Sequence, residues 1–309
     1  MVSDSAIVIS ALGKSYSGRE ALRGVSMEVK SGALYGLIGP DGAGKTTLLR
    51  ILVSLLKPDK GSASVLGWDT FRDYKHIRRH AGYMAGRFSL YADLSVEENL
   101  RFYAAVFGVR VKDNYELIAD IYEQLAPFGK RRAGQLSGGM KQKLALCCAL
   151  VHRPLVLFLD EPTTGVDPVS RGEFWEMLGR LKAQNITVMV STPYMDEANR
   201  CDRIALIQEG RLLMEGMPET IIKDFPKPLW AVQAAQVSRL LADLRAAVWC
   251  HSAYPFGESV HLACSEPVDA QEIEHYLKQR NHEVIEVMPI TAGIEDCFME
   301  FLSGYREKQ

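Results

Sequence analysis

Two rhythms of apolar residues alternate along this chain. From residue 6 to about residue 37, "AIVISAL" and "SMEVKSGALYGLIG", punctuated by Gly and Ser, predict strands joined by turns. "GKTTLLRILVSLL" then takes up a helical period, and "KPDKGSA" closes it as a turn. Residues 89–127 read as helical and amphipathic, with Ser95 as N-cap and Glu98 completing a capping box at the head of "SVEENLRFYAAVFG". Helix and strand alternate again beyond this insertion: "KQKLALCCALV" helical, "PLVLFLD" strand, "SRGEFWEMLGRLKAQ" helical, "ITVMVS" strand. "LVLFL" and "VMV" are continuously apolar, so these strands are expected to be covered on both faces, as in a largely parallel α/β sheet. The stretch "VMVSTPYMDEANRCDRIALI", residues 188–207, reads as a buried strand, a short turn and an amphipathic helix.

"FPKP", residues 225–228, reads as a linker. It divides the chain into a domain over 1–224, with a helical subdomain at about 89–150, and a C-terminal accessory domain over 225–309. In the accessory domain "LWAVQA", "VSRLLADLRAA", two strands around "YPFGES", "AQEIEHYLKQR" and "EVIEVM" fit a small α+β unit of βαββαβ order, followed by a last helix, "IEDCFMEFLSG".

Composition narrows the possibilities. With 309 residues, 47% of them hydrophobic, the chain can bury one large core and a smaller one. Lys+Arg 36 against Asp+Glu 38 leaves a net charge of -2, so no global basic field exists to hold nucleic acid or anionic lipid. A local cluster, "HIRRH" at residues 76–80, reads as a basic patch or a solvated helix face. The six cysteines, at 147, 148, 201, 250, 264 and 297, form no CxxC pair and are expected to be reduced, packed thiols of a cytosolic protein. "MVSDSAIVIS" lacks the plan of a signal peptide, and no apolar run reaches membrane-spanning length. A function at a membrane would need another chain to span it.

The chemistry begins at "GPDGAGKTT", residues 39–47, which fits G-x-x-x-x-G-K-[ST] between a predicted strand and a predicted helix. Gly39, Pro40, Asp41, Gly42, Ala43, Gly44 and Thr47 would build a loop whose backbone N–H groups turn toward phosphates at a helix N-terminus. Lys45 would reach the β- and γ-phosphates, and Thr46 would hold Mg²⁺. "LVLFLDEP" supplies Asp160 to approach the same Mg²⁺ and Glu161 to orient and deprotonate the attacking water.

"LSGGMKQ" at residues 136–142 precedes "LVLFLDEP", and "TTGVDP" follows it; this order, after the phosphate loop, closely resembles ABC ATPase domains over roughly residues 6–219. The resemblance implies a P-loop NTPase fold of α/β class with a helical subdomain, binding ATP and Mg²⁺. It implies that Ser137, Gly138, Gly139 and Gln142 form a signature serving the ATP of a second ABC domain in a head-to-tail dimer. Tyr16 matches the aromatic position that stacks on adenine, and Asp167 matches the loop connecting the two sites. The C-terminal region resembles the extension of ATPases serving exporters with separate integral membrane permease subunits, and is similar to multidrug exporters carrying two fused cassettes.

Two positions depart from the family pattern. Gly86, in "AGYMAGRFSLY", stands where the family has a glutamine that binds Mg²⁺ and water. Arg87 beside it cannot replace that function, because a guanidinium only donates hydrogen bonds. Pro193, in "STPYMDEA", stands where the family has a histidine contacting the γ-phosphate; proline offers no donor, though it could open the following helix with Thr192 as cap. The expectation is an ATPase with a slow site of its own and an intact signature completing a partner's site. A heterodimer is favoured over a homodimer, at the cytoplasmic face of a membrane and with no nucleic acid. Two other readings stand beside it: a soluble ABC ATPase acting on ribosomes or nucleic acid, and a nucleotide-gated regulatory subunit.

Overall fold

The computed structural model describes residues 4–87 and 89–306. The chain resolves into two compact units, residues 1–217 and 218–309. In the first, β1 (Ser5–Tyr16), β2 (Arg19–Lys30) and β3 (Leu34–Ile38) lead into α1 (Lys45–Leu52), then β4 (Lys60–Val65), β5 (Trp68–Asp69), α2 (Tyr74–His80) and β6 (Ala81–Met84). A helical stretch follows with α3 (Val96–Val106), α4 (Tyr115–Tyr122) and α5 (Gly138–Leu150). The unit closes with β7 (Val156–Asp160), α6 (Pro168–Ala183), β8 (Thr187–Thr192), β9 (Arg203–Gln208) and β10 (Arg211–Gly216).

Two sheets organise this unit, one in the order β2-β1-β4-β5 and one in the order β10-β9-β3-β8-β7-β6. The pairs from β9 to β6 are parallel, and β10 joins antiparallel at the edge. All residues of β3, β7 and β8 are buried, which is what uninterrupted apolar runs require. The core between the sheets and α1 is built on Ile7, Leu22, Leu48, Leu49, Val156 and Phe158.

Local chemistry sets the element ends. The capping box on α3 is formed: Ser95 Oγ accepts from Glu98 N at 3.2 Å, and Glu98 Oε2 accepts from Ser95 N at 2.8 Å. The first helix stops at Leu52, four residues short of the sequence reading, because Ser54 turns to φ 58° and the Leu55 and Leu56 amides bond back to Arg50 O. After β8 the expected amphipathic helix is replaced by one short 3-10 turn, Met195–Arg200, and then by β9. The cause is Asp202: its amide donates to Leu34 O and its carboxylate accepts from Leu34 N, both at 2.9 Å, laying "RIALIQ" alongside β3 as a parallel strand.

The second unit contains α7 (Pro218–Lys223), β11 (Leu229–Gln233), α8 (Val237–Arg245), β12 (Cys250–Phe256), β13 (Ser259–Cys264), α9 (Ala270–Gln279), β14 (Glu286–Pro289) and α10 (Ile294–Arg306). From β11 to β14 the order is βαββαβ, and the antiparallel sheet runs β12-β13-β11-β14. Its core includes Val232, Leu240, Leu244, Leu262 and Ile273. The division between units falls at 217/218, ahead of "FPKP", because α7 packs with the second unit: Ile221 is buried and its carbonyl meets Cys297 Sγ at 3.5 Å.

Candidate nucleotide site

The C-terminal ends of β3, β7 and β8 converge with the start of α1. Between β3 and α1 the loop of residues 39–44 needs glycine twice over. Gly44 has φ 107°, and a Cβ on it would lie 2.5 Å from Ala21 O; a Cβ on Gly39 would lie 2.1 Å from Ile207 O. Ala43 O accepts from Gly210 N at 2.9 Å, so the loop is fastened to the β9–β10 turn. Asp41 and Gly42 face solvent, and no side chain caps α1, so its first N–H groups are left for another acceptor.

Lys45 is only 3% exposed. Its Nζ donates to Gly39 O at 2.7 Å and Pro40 O at 3.0 Å, and lies 3.0 Å from Glu161 Oε1. Thr46 Oγ1 donates to Asp160 Oδ1 at 3.0 Å, and Ser191 Oγ donates to the same oxygen at 2.8 Å. Glu161 has φ 50°, an uncommon conformation for a residue with a side chain. Its amide is held by Ser191 through the carbonyl at 3.0 Å and the hydroxyl at 3.1 Å. Ser191 thus fixes both acidic residues, a role that the sequence reading missed. The available signal was a hydroxyl directly after the apolar run "VMV" of β8, in register with Asp160.

Gly86 and Pro193 border the same place. A Cβ on Gly86 would meet Asp160 O at 2.9 Å and approach Asp160 Cγ at 3.7 Å, so this backbone lies directly against the acidic strand end. Pro193 follows β8 but does not open a helix; the 3-10 turn begins two residues later. Thr192 caps locally instead, its Oγ1 accepting from Tyr194 N at 3.1 Å while donating to Glu197 Oε2 at 2.5 Å. Arg171 of α6 braces the segment, with Nη2 2.6 Å from Asp196 Oδ2, Nε 3.4 Å from buried Glu197, and its guanidinium 4.7 Å from the Tyr194 ring centroid. Tyr83 on β6 has a buried hydroxyl; burial and then the Asp160 charge hold its pKa above the usual phenol value.

Tyr16 is half exposed and shares a 380 Å³ cavity with Arg19, Glu20, Gly42 and Glu209, so the aromatic ring and the phosphate loop line one cleft. The signature residues meet a different neighbour. Ser137 is the N-cap of α5, its Oγ accepting from Met140 N at 3.3 Å; Gly138 is exposed and Gln142 half-buried along the same helix. A Cβ on Gly139 would lie 2.9 Å from Ser170 Oγ, so the start of α5 presses on the start of α6. Asp167 caps α6 by accepting from Ser170 N at 3.0 Å, and that N–H holds its carboxyl below the usual range.

The family profile described as ABC transporter matches residues 22–164. The Nod factor export ATP-binding protein I of Burkholderia orbicola is 41% identical over 213 residues, covering 68% of this chain and 70% of its own. The chain belongs to the ABC transporter family. The protein named "probable multidrug ABC transporter ATP-binding protein YbhF" of Escherichia coli is 37% identical over 309 residues, 98% of this chain and 53% of its own length. The chain thus spans about half the length of that ABC relative, and the match runs through both units. Among solved ABC structures, cbiO1 from Clostridium perfringens superposes with a TM-score of 0.64 at 26% identity, covering 72% of this chain and 92% of its own. A dimeric bacterial ABC transporter cassette gives 0.62 at 25% identity, covering 68% and 98%.

Proposed function

We propose that this chain is an ATP-binding subunit of an exporter, with a slow ATP site of its own and a signature that completes the site of a second, different ABC domain. The observation that carries the reading is the convergence of Lys45, Thr46, Asp160 and Glu161 at a place bordered by Gly86 and Pro193, neither of which offers a side-chain hydrogen bond. Thr46 Oγ1 and Asp160 Oδ1 are hard oxygen donors of the kind that Mg²⁺ takes. When bound, Mg²⁺ offsets phosphate charge. Lys45 and the free amides of α1 bind and orient phosphate, Tyr16 lies against the base, and Glu161 accepts the proton of the attacking water.

A polar group aimed at developing charge is commonly worth about 2.7–4 kcal/mol, or roughly two to three decades of rate. Both departures act on this chain's own site, whereas Ser137, Gly138, Gly139 and Gln142 remain complete. The asymmetry is what favours a heterodimer. The dimeric cassette among the structural relatives supports pairing of two ABC domains. The exporter names of the curated relatives support separate membrane subunits, and so does an apolar cleft of 320 Å³ bounded by Leu55, Leu90, Val106 and Phe107 that could receive them. No helix among the described residues is long and apolar enough to cross a membrane, which accords with a peripheral place on the cytoplasmic face.

Steady-state MgATP hydrolysis by the natural chain and by Gly86→Gln/Pro193→His, with ATP binding measured separately, tests the reading. We expect both to bind ATP and the double variant to turn over at least tenfold faster. Equal and substantial rates would sink the slow-site reading.

A further inference from the structure

The six cysteines are all free thiols, and two of them meet across a strand pair of the second unit. On the β12–β13 hairpin Cys250 and Cys264 are directly opposed. Their amides do not bond each other: Cys250 N donates to Ala247 O at 3.1 Å and Cys264 N to Pro228 O at 3.0 Å, while the flanking Ser265 N donates to Trp249 O at 2.9 Å. This is the non-hydrogen-bonded kind of antiparallel pair, in which the Cα atoms approach to about 4.5 Å and the side chains stand closest. A disulfide spans Cα separations of roughly 4.4–6.8 Å, so the paired strands hold the two residues within bonding range.

The two side chains also share one face of the sheet. Strict alternation would put Cys250 and Ala253 on opposite sides of β12, but the register shifts between Cys250 and Ser252, and the extra residue brings both to the core side. There Cys264 is fully buried, and Cys250, half-buried, packs against the same core. The other four cysteines are placed differently. Cys147 and Cys148 are successive residues of α5, so their side chains diverge by about 100° around the helix. Cys201 Sγ lies 4.0 Å from Glu197 O, and Cys297 Sγ 3.5 Å from Ile221 O.

We infer that Cys250 and Cys264 are a closable dithiol, joined as a cross-strand disulfide when a small soluble disulfide such as oxidised glutathione is presented. Half-buried Cys250 is the point of entry. Its thiolate attacks one sulfur of the small disulfide and expels the other as a thiolate, leaving a mixed disulfide at Cys250. Cys264 then gives up its proton, attacks the Cys250 sulfur and expels the second small thiolate. Two protein thiols are oxidised, one small disulfide is reduced, and the two protons released pass to the two expelled thiolates. Burial sets the pace. It raises both thiols, Cys264 to about 11, with Cys250 and Glu272 of α9 adding to the rise there and Arg245 of α8 opposing it at Cys250. Closure is therefore slow at neutral pH, and the closed bond, whose leaving thiolates are poor, is slow to open. The inference is independent of the slow-site reading, since both cysteines belong to the second unit.

The test is to incubate the reduced full chain with oxidised glutathione at about pH 8.5, where thiolate is available, quench with acid, and combine intact mass, thiol titration in denaturant and peptide mapping. The expected result is loss of two of the six thiols, no retained glutathione, and a link between Cys250 and Cys264 that dithiothreitol reverses. Cys264→Ser should instead trap glutathione at Cys250, raising the mixed disulfide on the order of tenfold over the natural chain, and Cys250→Ser should remove both products. Circular dichroism checks that the variants fold, and the peptide map of the natural chain decides without them. A natural chain that keeps all six thiols, a mixed disulfide that persists in it, or a link through any other cysteine would overturn the inference.

Discussion

The Lys45 ammonium lies 3.0 Å from Glu161 Oε1 and gives its remaining hydrogen bonds to the Gly39 and Pro40 carbonyls. All three donors of the ammonium are engaged. If the loop binds phosphate as proposed, and the phosphate takes the ammonium's bond from the carboxylate, phosphate binding and release of Glu161 are one event. Replacing Glu161 by Gln removes the competing charge. ATP should bind several-fold more tightly, and hydrolysis should fall by about two decades or more. Calorimetric titration alongside phosphate release checks both; unchanged affinity would mean that the ion pair does not compete with phosphate.

Ser191→Ala removes a hydroxyl that bonds both Asp160 Oδ1 and the Glu161 amide. Because Ser191 is fully buried, stability should drop by roughly 1–3 kcal/mol, read from chemical denaturation. Turnover should fall with little change in ATP affinity, since the serine positions the carboxylates and not the phosphate loop.

Gly86 and Pro193 are not equivalent targets. A side chain at 86 meets Asp160 O at 2.9 Å, so Gly86→Gln must move backbone at the acidic strand end and should cost about 1–3 kcal/mol. Pro193→His lies outside any helix, at a half-buried position, and restores a side-chain donor. Alone, it should account for most of the gain in turnover seen in the double variant. If Gly86→Gln alone gives the larger gain, the contact with Asp160 is softer than the geometry indicates.

His152 stacks on Phe107 with centroids 3.7 Å apart, its Nε2 3.2 Å from Ala81 O and its buried Nδ1 without a partner. Burial pushes its pKa down to about 4. The unfolded chain takes up this proton near pH 6.5 while the folded one does not, so stability falls as pH drops from about 6.5 to 4 and levels off below. The loss should amount to roughly 3 kcal/mol, and His152→Leu should remove that part of the slope in urea unfolding at pH 7 and pH 5.

Arg171→Met should destabilise the first unit by about 3 kcal/mol, because Glu197 is 2% exposed and would be left without its cation. Arg171→Lys should recover only part of this, as an ammonium cannot reach both Asp196 and Glu197 while lying on the Tyr194 ring. Thermal unfolding of the three proteins orders them.

Much of this was legible in the chain. Continuous apolar runs disclosed β7 and β8 because strands covered on both faces need no alternation, and the α3 capping box followed from Ser95 and Glu98 alone. What stayed hidden depended on contacts distant in sequence. "RIALIQ" became a strand through Asp202 meeting Leu34, 168 positions away, and local periodicity carries no trace of such a partner. The bracing of residues 193–197 by Arg171 and the double duty of Ser191 were invisible for the same reason.

The close packing of the phosphate loop also bears on how such sequences age. Gly39 and Gly44 are pressed against the backbone of Ile207 and Ala21, and Gly210 in turn lies against Ala21. Architecture alone forbids a side chain at these three points. A lineage that had abandoned hydrolysis altogether would still be bound to keep these glycines, simply in order to fold. Catalytic history is therefore legible only at positions the fold holds less tightly, and Gly86, whose Cβ would meet Asp160 O at 2.9 Å, is not one of them.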